Sequence, residues 1–325
     1  MKKKTYNTFI VPTGIGAKIG GFAGDAGAFA RKLAKDSPLI VNPNVVNAAC
    51  FSAITDNMLY TEGYSITEFF KGNISLQKSS QNKIGVIFDK AISKDVLNIH
   101  INTINAVKTV YDVNIIDYEI SKEEAGVEFF TTESGISSGK INNPETLTEA
   151  GLKLIEKGAE ALAVVCKFEE PEEDGYSDGE SVDVVGGAEA LISHYLTREL
   201  KVPVVHAPAF EDYNIKPNLV HPKAAAEYIT PTFLPCLLLG LNNAPKIIQG
   251  LDEKFITIND VKSLIMPYNS LGCSIVTNAI ERGIIVLAVK ENVTILKCNA
   301  AFLGLKEKII EIKTHNECFD YLKRI

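Results

Sequence analysis

The feature that most constrains the fold of this chain is the segment 9–46. In chain order it holds an apolar run at 9–11, a glycine-rich stretch at 13–25, a helical segment at 26–35 and a second apolar run at 39–41. A strand that feeds a turn, a helix and another strand forms a parallel crossover unit. Ligands of such units bind beyond the carboxyl ends of the strands. We therefore expect residues 14–25 and 42–47 to lie at one edge of the sheet and to border a binding site.

Two later segments repeat this layout, at 182–208 and 264–292. The repetition predicts an α/β fold with a mostly parallel, doubly wound, Rossmann-like sheet in one or two lobes. It is explained either by the general architecture of doubly wound proteins or by an internal duplication or triplication, and both explanations place the polar strand ends at one edge. We divide the chain into an amino-terminal α/β lobe, 1–140, with the glycine-rich loop, and a carboxyl-terminal α/β lobe, 141–325, with the two later units.

Composition argues against several classes of partner. The net charge is −7, and the sequence has no long Lys/Arg stripe that would neutralise a nucleic acid. The longest apolar stretch, 233–241, is too short to span a membrane, and the polar residues after Lys4 argue against a signal peptide. Six cysteines without CxxC spacing favour free thiols, and the histidines show no metal-binding spacing. We expect a cytoplasmic protein with a small-molecule ligand; the cofactor is unknown and a homo-oligomer is left open.

The glycine-rich stretch predicts an anion site. Glycines at the start of a helix free backbone N–H groups that bind anions, and the helix dipole adds to the attraction. Their spacing is looser than that of a dinucleotide-binding fingerprint, and Asp25 is either the cap of the helix or a ligand contact. The ligand contacts predicted at this edge are Thr13, Gly14, Gly16, Gly20, Gly21, Gly24, Asp25, Asn42, Asn44 and Asn47.

The segment 131–140 is dense in hydroxyl groups and follows an apolar strand. It is not a phosphate-binding P-loop, because Ile141 occupies the place of the metal-binding hydroxyl. The segment is either a polar turn or part of the binding site. Further predicted ligand contacts, here and in the two later repeat units, are Ser134, Ser137, Ser138, Gly186, Gly187, Glu189 and Asn292. The acidic stretch 169–181 is interpreted as a solvated loop or a mobile flap.

Three residues are candidates for catalysis. His206 stands at the carboxyl end of a predicted strand, and a histidine there suits acid/base chemistry because its pKa is close to neutrality. Cys273 lies in a turn that opens a helix, a position that lowers the pKa of a thiol and favours a nucleophile or a second acid/base group. Cys166 ends a buried-type strand. The alternative for both cysteines is a buried structural role.

Two thiols facing each other across a substrate would resemble the aspartate/glutamate racemases, which also place cysteines after strands in two related halves. The segments Cys166-Lys167-Phe168 and Gly272-Cys273-Ser274 meet the motifs of that family in position only. A two-cysteine racemase or isomerase is therefore retained as an alternative.

Four segments carry a resemblance that covers most of the chain: Pro12-Thr13-Gly14-Ile15-Gly16-Ala17, Gly20-Gly21-Phe22-Ala23-Gly24-Asp25-Ala26, Asn42-Pro43-Asn44-Val45-Val46-Asn47-Ala48-Ala49 and Pro222-Lys223-Ala224-Ala225-Ala226-Glu227. The chain resembles a family of bacterial, cyanobacterial and plastid-lineage proteins classed as a domain of unknown function. The resemblance brings no activity with it. From the residues, we expect an enzyme that acts on an anionic metabolite, either a carboxylate or a phosphorylated compound, with a non-catalytic binding or sensing protein as the alternative.

Overall fold

The structure is a computed structural model and describes residues 5–171, 175–215 and 217–325. In these ranges the strands are β1 Tyr6–Phe9, β2 Leu39–Val41, β3 Asn47–Ala48, β4 Phe51–Ser52, β5 Met58–Tyr60, β6 Ile74–Gln77, β7 Ile84–Phe88, β8 Ile115–Ile120, β9 Val127–Thr131, β10 Ser137–Ile141, β11 Ala161–Lys167, β12 Val204–Ala209, β13 Lys246–Gln249, β14 Val261–Pro267, β15 Ile285–Val289 and β16 Ile309–Ile312. The α-helices are α1 Gly27–Asp36, α2 Pro43–Val46, α3 Gly63–Lys71, α4 Lys94–Tyr111, α5 Pro144–Glu156, α6 Gly186–Leu200, α7 Leu234–Asn242, α8 Ser274–Glu281 and α9 His315–Arg324. None of the helices in this part of the chain is both long and apolar enough to cross a lipid bilayer.

Two parallel sheets organise the fold. The first has the strand order β16-β15-β14-β1-β2-β5 and the second the order β12-β11-β7-β8. Neighbouring strands run parallel in both sheets. The residues of β7 and nearly all of β11 are apolar and buried, as is typical of parallel strands covered on both faces. The predicted α/β, mostly parallel, Rossmann-like fold is confirmed.

The first sheet is built from both ends of the chain. β1 lies in its middle, with β2 on one side and β14 on the other, so the connections leaving these strands diverge there. Such a switch point opens a crevice at the carboxyl ends of the strands. The second sheet takes its strands from residues 84–209, on both sides of the predicted boundary at 140. The division between the two sheets therefore does not follow that boundary. The first sheet crosses it as well, because β1 pairs with β14, which lies far along the chain.

One predicted helix is mostly absent. The mostly apolar residues 222–241 predict a helix that is kinked near Pro231 and Pro235. In the structure, residues 222–229 form turns and α7 begins only at Leu234. Pro231 lies before the helix, and Pro235 stands in its first turn, where a missing N–H group costs no helical hydrogen bond. The non-helical part of the segment lies against the cavity described next.

Candidate functional site

A cavity of about 680 Å³ lies where the carboxyl ends of strands from both sheets meet. From the first sheet its wall includes Thr13 after β1, Asn42 after β2, Glu62 after β5 and Cys273 after β14. From the second sheet His206, in β12, faces the same space. The common hollow that the parallel crossover units predict is therefore present.

Eight of the predicted site residues line this cavity: Thr13, Gly21, Asn42, Asn44, Asn47, Glu189, His206 and Cys273. Twelve others do not reach its wall: Gly14, Gly16, Gly20, Gly24, Asp25, Ser134, Ser137, Ser138, Cys166, Gly186, Gly187 and Asn292. The acidic stretch 169–181 contributes Glu170, Pro171 and Tyr176, while residues 172–174 lie outside the described ranges.

Most glycines of the predicted anion loop serve close packing of the backbone. Gly14 has φ +71°, and a Cβ atom there would lie 2.8 Å from Cβ of Ser137. A Cβ at Gly24 would lie 2.6 Å from Cβ of Ala48. Ser137 donates its N–H to the Gly14 carbonyl at 2.9 Å, and its Oγ accepts the N–H of Gly187 at 2.8 Å. These residues therefore fasten the loop to the β9–β10 hairpin and to α6 instead of contacting the cavity.

Asp25 neither caps α1 nor lines the cavity. Its Oδ1 accepts the backbone N–H of Gly20 at 2.6 Å, whereas the cap position of the helix is Ala26, which makes no side-chain bond. Burial raises the pKa of Asp25 to about 6, and its Oδ2 atom is buried with no partner in the described part of the chain. The predicted cap is wrong, because the carboxylate closes its own turn.

Asn292 and Asn42 each hold one residue of the segment after β1 by a pair of hydrogen bonds from the side-chain amide to the backbone. Asn292 accepts the N–H of Ile19 at 3.0 Å and donates to its carbonyl at 2.8 Å. Asn42 makes the same pair of bonds to Val11, at 3.1 and 2.8 Å. Asn44 donates to the Val11 carbonyl at 3.2 Å, which turns its amide toward the cavity wall. Asn292 thus fixes the loop after β1 without reaching the cavity.

The cysteines do not form a pair across the cavity. Cys273 stands at the cap position of α8, as predicted, but burial outweighs the helix terminus and raises the pKa of its thiol. Cys166 is 1% exposed, and burial raises the pKa of its thiol well above the usual value. Because Cys166 does not line the cavity, the arrangement that the racemase alternative requires is missing.

Glu189 and His206 face each other inside the cavity. Oε1 of Glu189 lies 4.0 Å from Nε2 of His206. Glu189 stands in the first turn of α6, and Ser193 follows one helical turn later on the same face, with its Oγ 2.8 Å from Nδ1 of His206. Burial raises the pKa of Glu189 well above its usual value. Burial, together with the nearby His194, lowers the pKa of His206 to about 3.

Acidic side chains outnumber basic ones in the described wall of the cavity. The acidic residues that line it are Glu62, Glu170, Asp183, Glu189, Asp212 and Glu227. In the described ranges no lysine or arginine lines it. Glu62 caps α3 by accepting the N–H groups of Tyr64 and Ser65, and burial raises its pKa to about 7. The predicted anionic ligand therefore finds no lysine or arginine to pair with in this wall.

No group of three or more His, Cys, Asp or Glu side chains in these ranges is arranged to hold a metal ion.

Several lining residues escaped the sequence analysis: Glu62, Tyr176, Asp183, Ser193, His194 and Glu227. Two of them carried a usable signal. Glu62 lies two residues after the end of β5, and Ser193 lies four residues after Glu189, hence on the same helical face. Glu227 carried none, because it lies on turns in a segment whose pattern predicted a helix.

The variant Glu227→Gln should make the stability of the protein less dependent on pH. Burial first, and then Asp183, raise the pKa of Glu227 from 4.5 to about 8; Asp25 adds to the effect, and a hydrogen bond from Tyr176 opposes it. A carboxyl whose pKa is raised in the folded state stabilises the fold while protonated, and this contribution is lost as the pH rises from about 4.5 to about 8. The free energy of unfolding of the natural protein, minus that of the variant, should therefore fall across this window.

Urea unfolding at several pH values within the window measures this difference. The exposed Glu199→Gln, which makes the same chemical change outside the cavity, is the matched control and should show no such fall. A difference that stays level or rises with pH would contradict the prediction.

The sequence model of a family of proteins of unknown function, DUF3326, matches residues 6–323. The chain belongs to the DUF3326 family. The predicted membership of a family without a known function is confirmed, and the matched range of this DUF3326 member contains the whole described wall of the cavity. An uncharacterized lipoprotein of Synechococcus sp. is 35% identical over 325 residues, which cover 97% of this chain and 89% of that protein. No solved structure matches the chain.

Proposed function

We propose that this protein is an enzyme that binds a small molecule in the cavity and catalyses a proton-transfer reaction on it, with Glu189 as the acid and His206 as the base. The observation that carries the proposal is the distance of 4.0 Å between Glu189 Oε1 and His206 Nε2, in the wall of a cavity of about 680 Å³. A cavity at the carboxyl ends of parallel strands is the usual place of an active site in such folds.

Burial gives the two groups complementary protonation states. The raised pKa of Glu189 favours a protonated carboxyl group, and the pKa of His206, lowered to about 3, favours a neutral imidazole. Two titratable groups whose pKa values are pushed apart form an acid and a base at the same pH. Neither group needs a proton from solvent before it can act.

Ser193 supports the assignment of the base. Its hydroxyl donates to the carbonyl of Ala190 at 3.2 Å, so toward His206 Nδ1 it is available as an acceptor. This arrangement supports the tautomer with the proton on Nδ1 and the lone pair on Nε2, which faces Glu189. A proton held on Nδ1 leaves Nε2 free to act as the base.

The proton transfers between the two residues and the substrate form a closed cycle. Glu189 gives its proton to one atom of the substrate, and Nε2 of His206 takes a proton from another. The resulting imidazolium and carboxylate return to the starting state when the proton passes from His206 to Glu189. Cys273 also lines the cavity, but burial raises the pKa of its thiol, which disfavours a nucleophilic thiolate, so we assign it no step in this cycle. Isomerisation, elimination and hydrolysis all fit this cycle.

The test is a substrate search by mass spectrometry. The purified protein is incubated with a small-molecule extract, in parallel with the double variant Glu189→Gln/His206→Gln and with Glu199→Gln as the control on the same helix. We expect at least one compound to be consumed by the natural protein and by the control and to persist with the double variant. Binding without conversion of any compound would favour the sensing alternative and overturn the enzyme.

A cytoplasmic location is part of the proposal, and the six cysteines, which are all free thiols, suit a reducing compartment. The Synechococcus relative is named a lipoprotein, so the location needs its own measurement. Fractionation of cells should recover the protein with soluble cytoplasmic markers; recovery with membranes would contradict this part.

A further inference from the structure

We infer that the ligand carries an ammonium or other cationic nitrogen, held by Asp183 and Glu227 in the wall of the cavity beside Glu189. The inference deepens the proposed function, because it concerns the substrate class of the same cavity. It replaces the anionic ligand that the glycine-rich loop predicted.

Glu189 is the observation that points to a missing partner. The residue is 8% exposed, its side chain faces the cavity, and in the described part of the chain it accepts no hydrogen bond. Its closest polar neighbour is Nε2 of His206 at 4.0 Å, beyond hydrogen-bond distance. A buried carboxyl group without a partner is costly, so a ligand atom that accepts the proton of Glu189 would be strongly favoured.

Asp183 and Glu227 are held so that each can accept a further donor. Asp183 precedes α6, and its Oδ1 accepts the N–H groups of Val185 and Gly186 at 3.2 and 3.0 Å. Glu227 accepts the hydroxyl of Tyr176 at 3.0 Å through Oε1. A carboxylate has about four acceptor positions, so both of these lining groups keep acceptor capacity.

The charges of the wall residues favour one sign of charge on the ligand. Asp183 and Glu227 raise the pKa of Glu189, and Asp183 also raises that of Glu227, so the three groups lie close enough to repel one another when ionised. Lysine and arginine are absent from the described wall, and burial keeps His194 and His206 neutral. An anion would add to the repulsion, whereas a cation relieves it.

Aromatic rings border the same side of the cavity. Phe22 and Tyr176 both line it, with ring centroids 4.7 Å apart. Outside the wall, the ammonium group of Lys223 lies 5.5 Å from the centroid of Phe22. The negative face of an aromatic ring attracts a cation, as the ammonium group of Lys223 over Phe22 illustrates, so the Tyr176 ring in the wall suits an ammonium group better than a carboxylate.

The experiment compares two probes of the same carbon chain, the diamine cadaverine and the dicarboxylate glutarate, by isothermal titration calorimetry near neutral pH. Each titration is run in two buffers with different ionisation enthalpies, which reveals proton exchange. The diamine should bind and release protons, because Glu227, which faces Tyr176, Asp183 and Asp25, loses its proton when a cation approaches. The dicarboxylate should not bind.

The double variant Asp183→Asn/Glu227→Gln should weaken binding of the diamine at least tenfold. Its matched control, Asp36→Asn/Glu199→Gln, removes the same charges from the surface and should bind as the natural protein does. The proton release is measured on the natural protein, so the test survives if the double variant fails to fold. Absence of diamine binding, binding that the double variant leaves unchanged, or binding of glutarate would each overturn the inference.

The two proposals fail separately. Binding of the diamine with no compound converted in the substrate search would remove the enzyme and leave the cationic ligand. Conversion of an anionic compound, with no diamine binding, would leave the enzyme and remove the cationic ligand.

Discussion

Replacing Glu189 by glutamine should lower kcat on the substrate found in the search by about 10²- to 10⁴-fold, the usual contribution of a positioned acid or base. Glutamine keeps the volume and the hydrogen-bonding capacity of the side chain but has no proton to give at neutral pH. The geometry around His206 should therefore persist while the transfer step fails. Steady-state kinetics of the purified variant measure the effect.

The pH profile separates a catalytic loss from a structural one. Glu189 acts as the protonated acid, so activity of the natural protein should fall as the pH rises through its raised pKa, and the residual activity of the variant should lack this fall. Glu199→Gln, on the same helix but exposed, should keep both the rate and the profile. An unchanged kcat in Glu189→Gln would refute the acid assignment.

The second large effect is on stability: Gly187→Ala should lower the free energy of unfolding by about 3 kcal/mol. A Cβ atom at Gly187 would overlap the carbonyl group of Ser137 and lie 2.5 Å from the backbone nitrogen of Ser138. These are backbone atoms of β10, so relief requires the hairpin to move away from α6. The better helix propensity of alanine, at most about 1 kcal/mol, does not compensate.

Gly304→Ala supplies the control for urea unfolding. Gly304 has φ +67°, and a Cβ atom at this position would have nothing within 4 Å, so the substitution should cost only the backbone strain, about 1 kcal/mol. An equal loss of unfolding free energy in the two variants would show that the hairpin and α6 can move apart at little cost. That result would remove the close-packing explanation of Gly187.

Much of the fold followed from local patterns, because the strand, turn, helix and second strand of a crossover unit all lie within about forty residues of sequence. Alternation of apolar runs with helical segments indicated β1, α1 and β2, and it brought Asn44 and His206 to one hollow. The pairing of β1 with β14 did not follow, because strand order depends on contacts between distant segments.

The functional assignments were harder for a physical reason. A glycine is required wherever something approaches the backbone closely, and the sequence does not say whether that is a ligand or another strand; at Gly14 and Gly187 it is Ser137. The helix terminus at Cys273 was identified, but the depth of its burial, which sets the direction of the pKa shift, was not. The acidic wall joins Asp183, Glu189 and Glu227 from separate segments, so only the fold reveals it.

The split origin of the first sheet has a consequence for biosynthesis. The ribosome releases β1, β2 and β5 early, yet Tyr6 pairs with Val261, which is translated near the end. The strands at 84–209 form a contiguous block that can assemble in the interval. The nascent chain therefore carries an apolar, half-paired amino-terminal segment for most of its translation, and this segment is where a chaperone would bind.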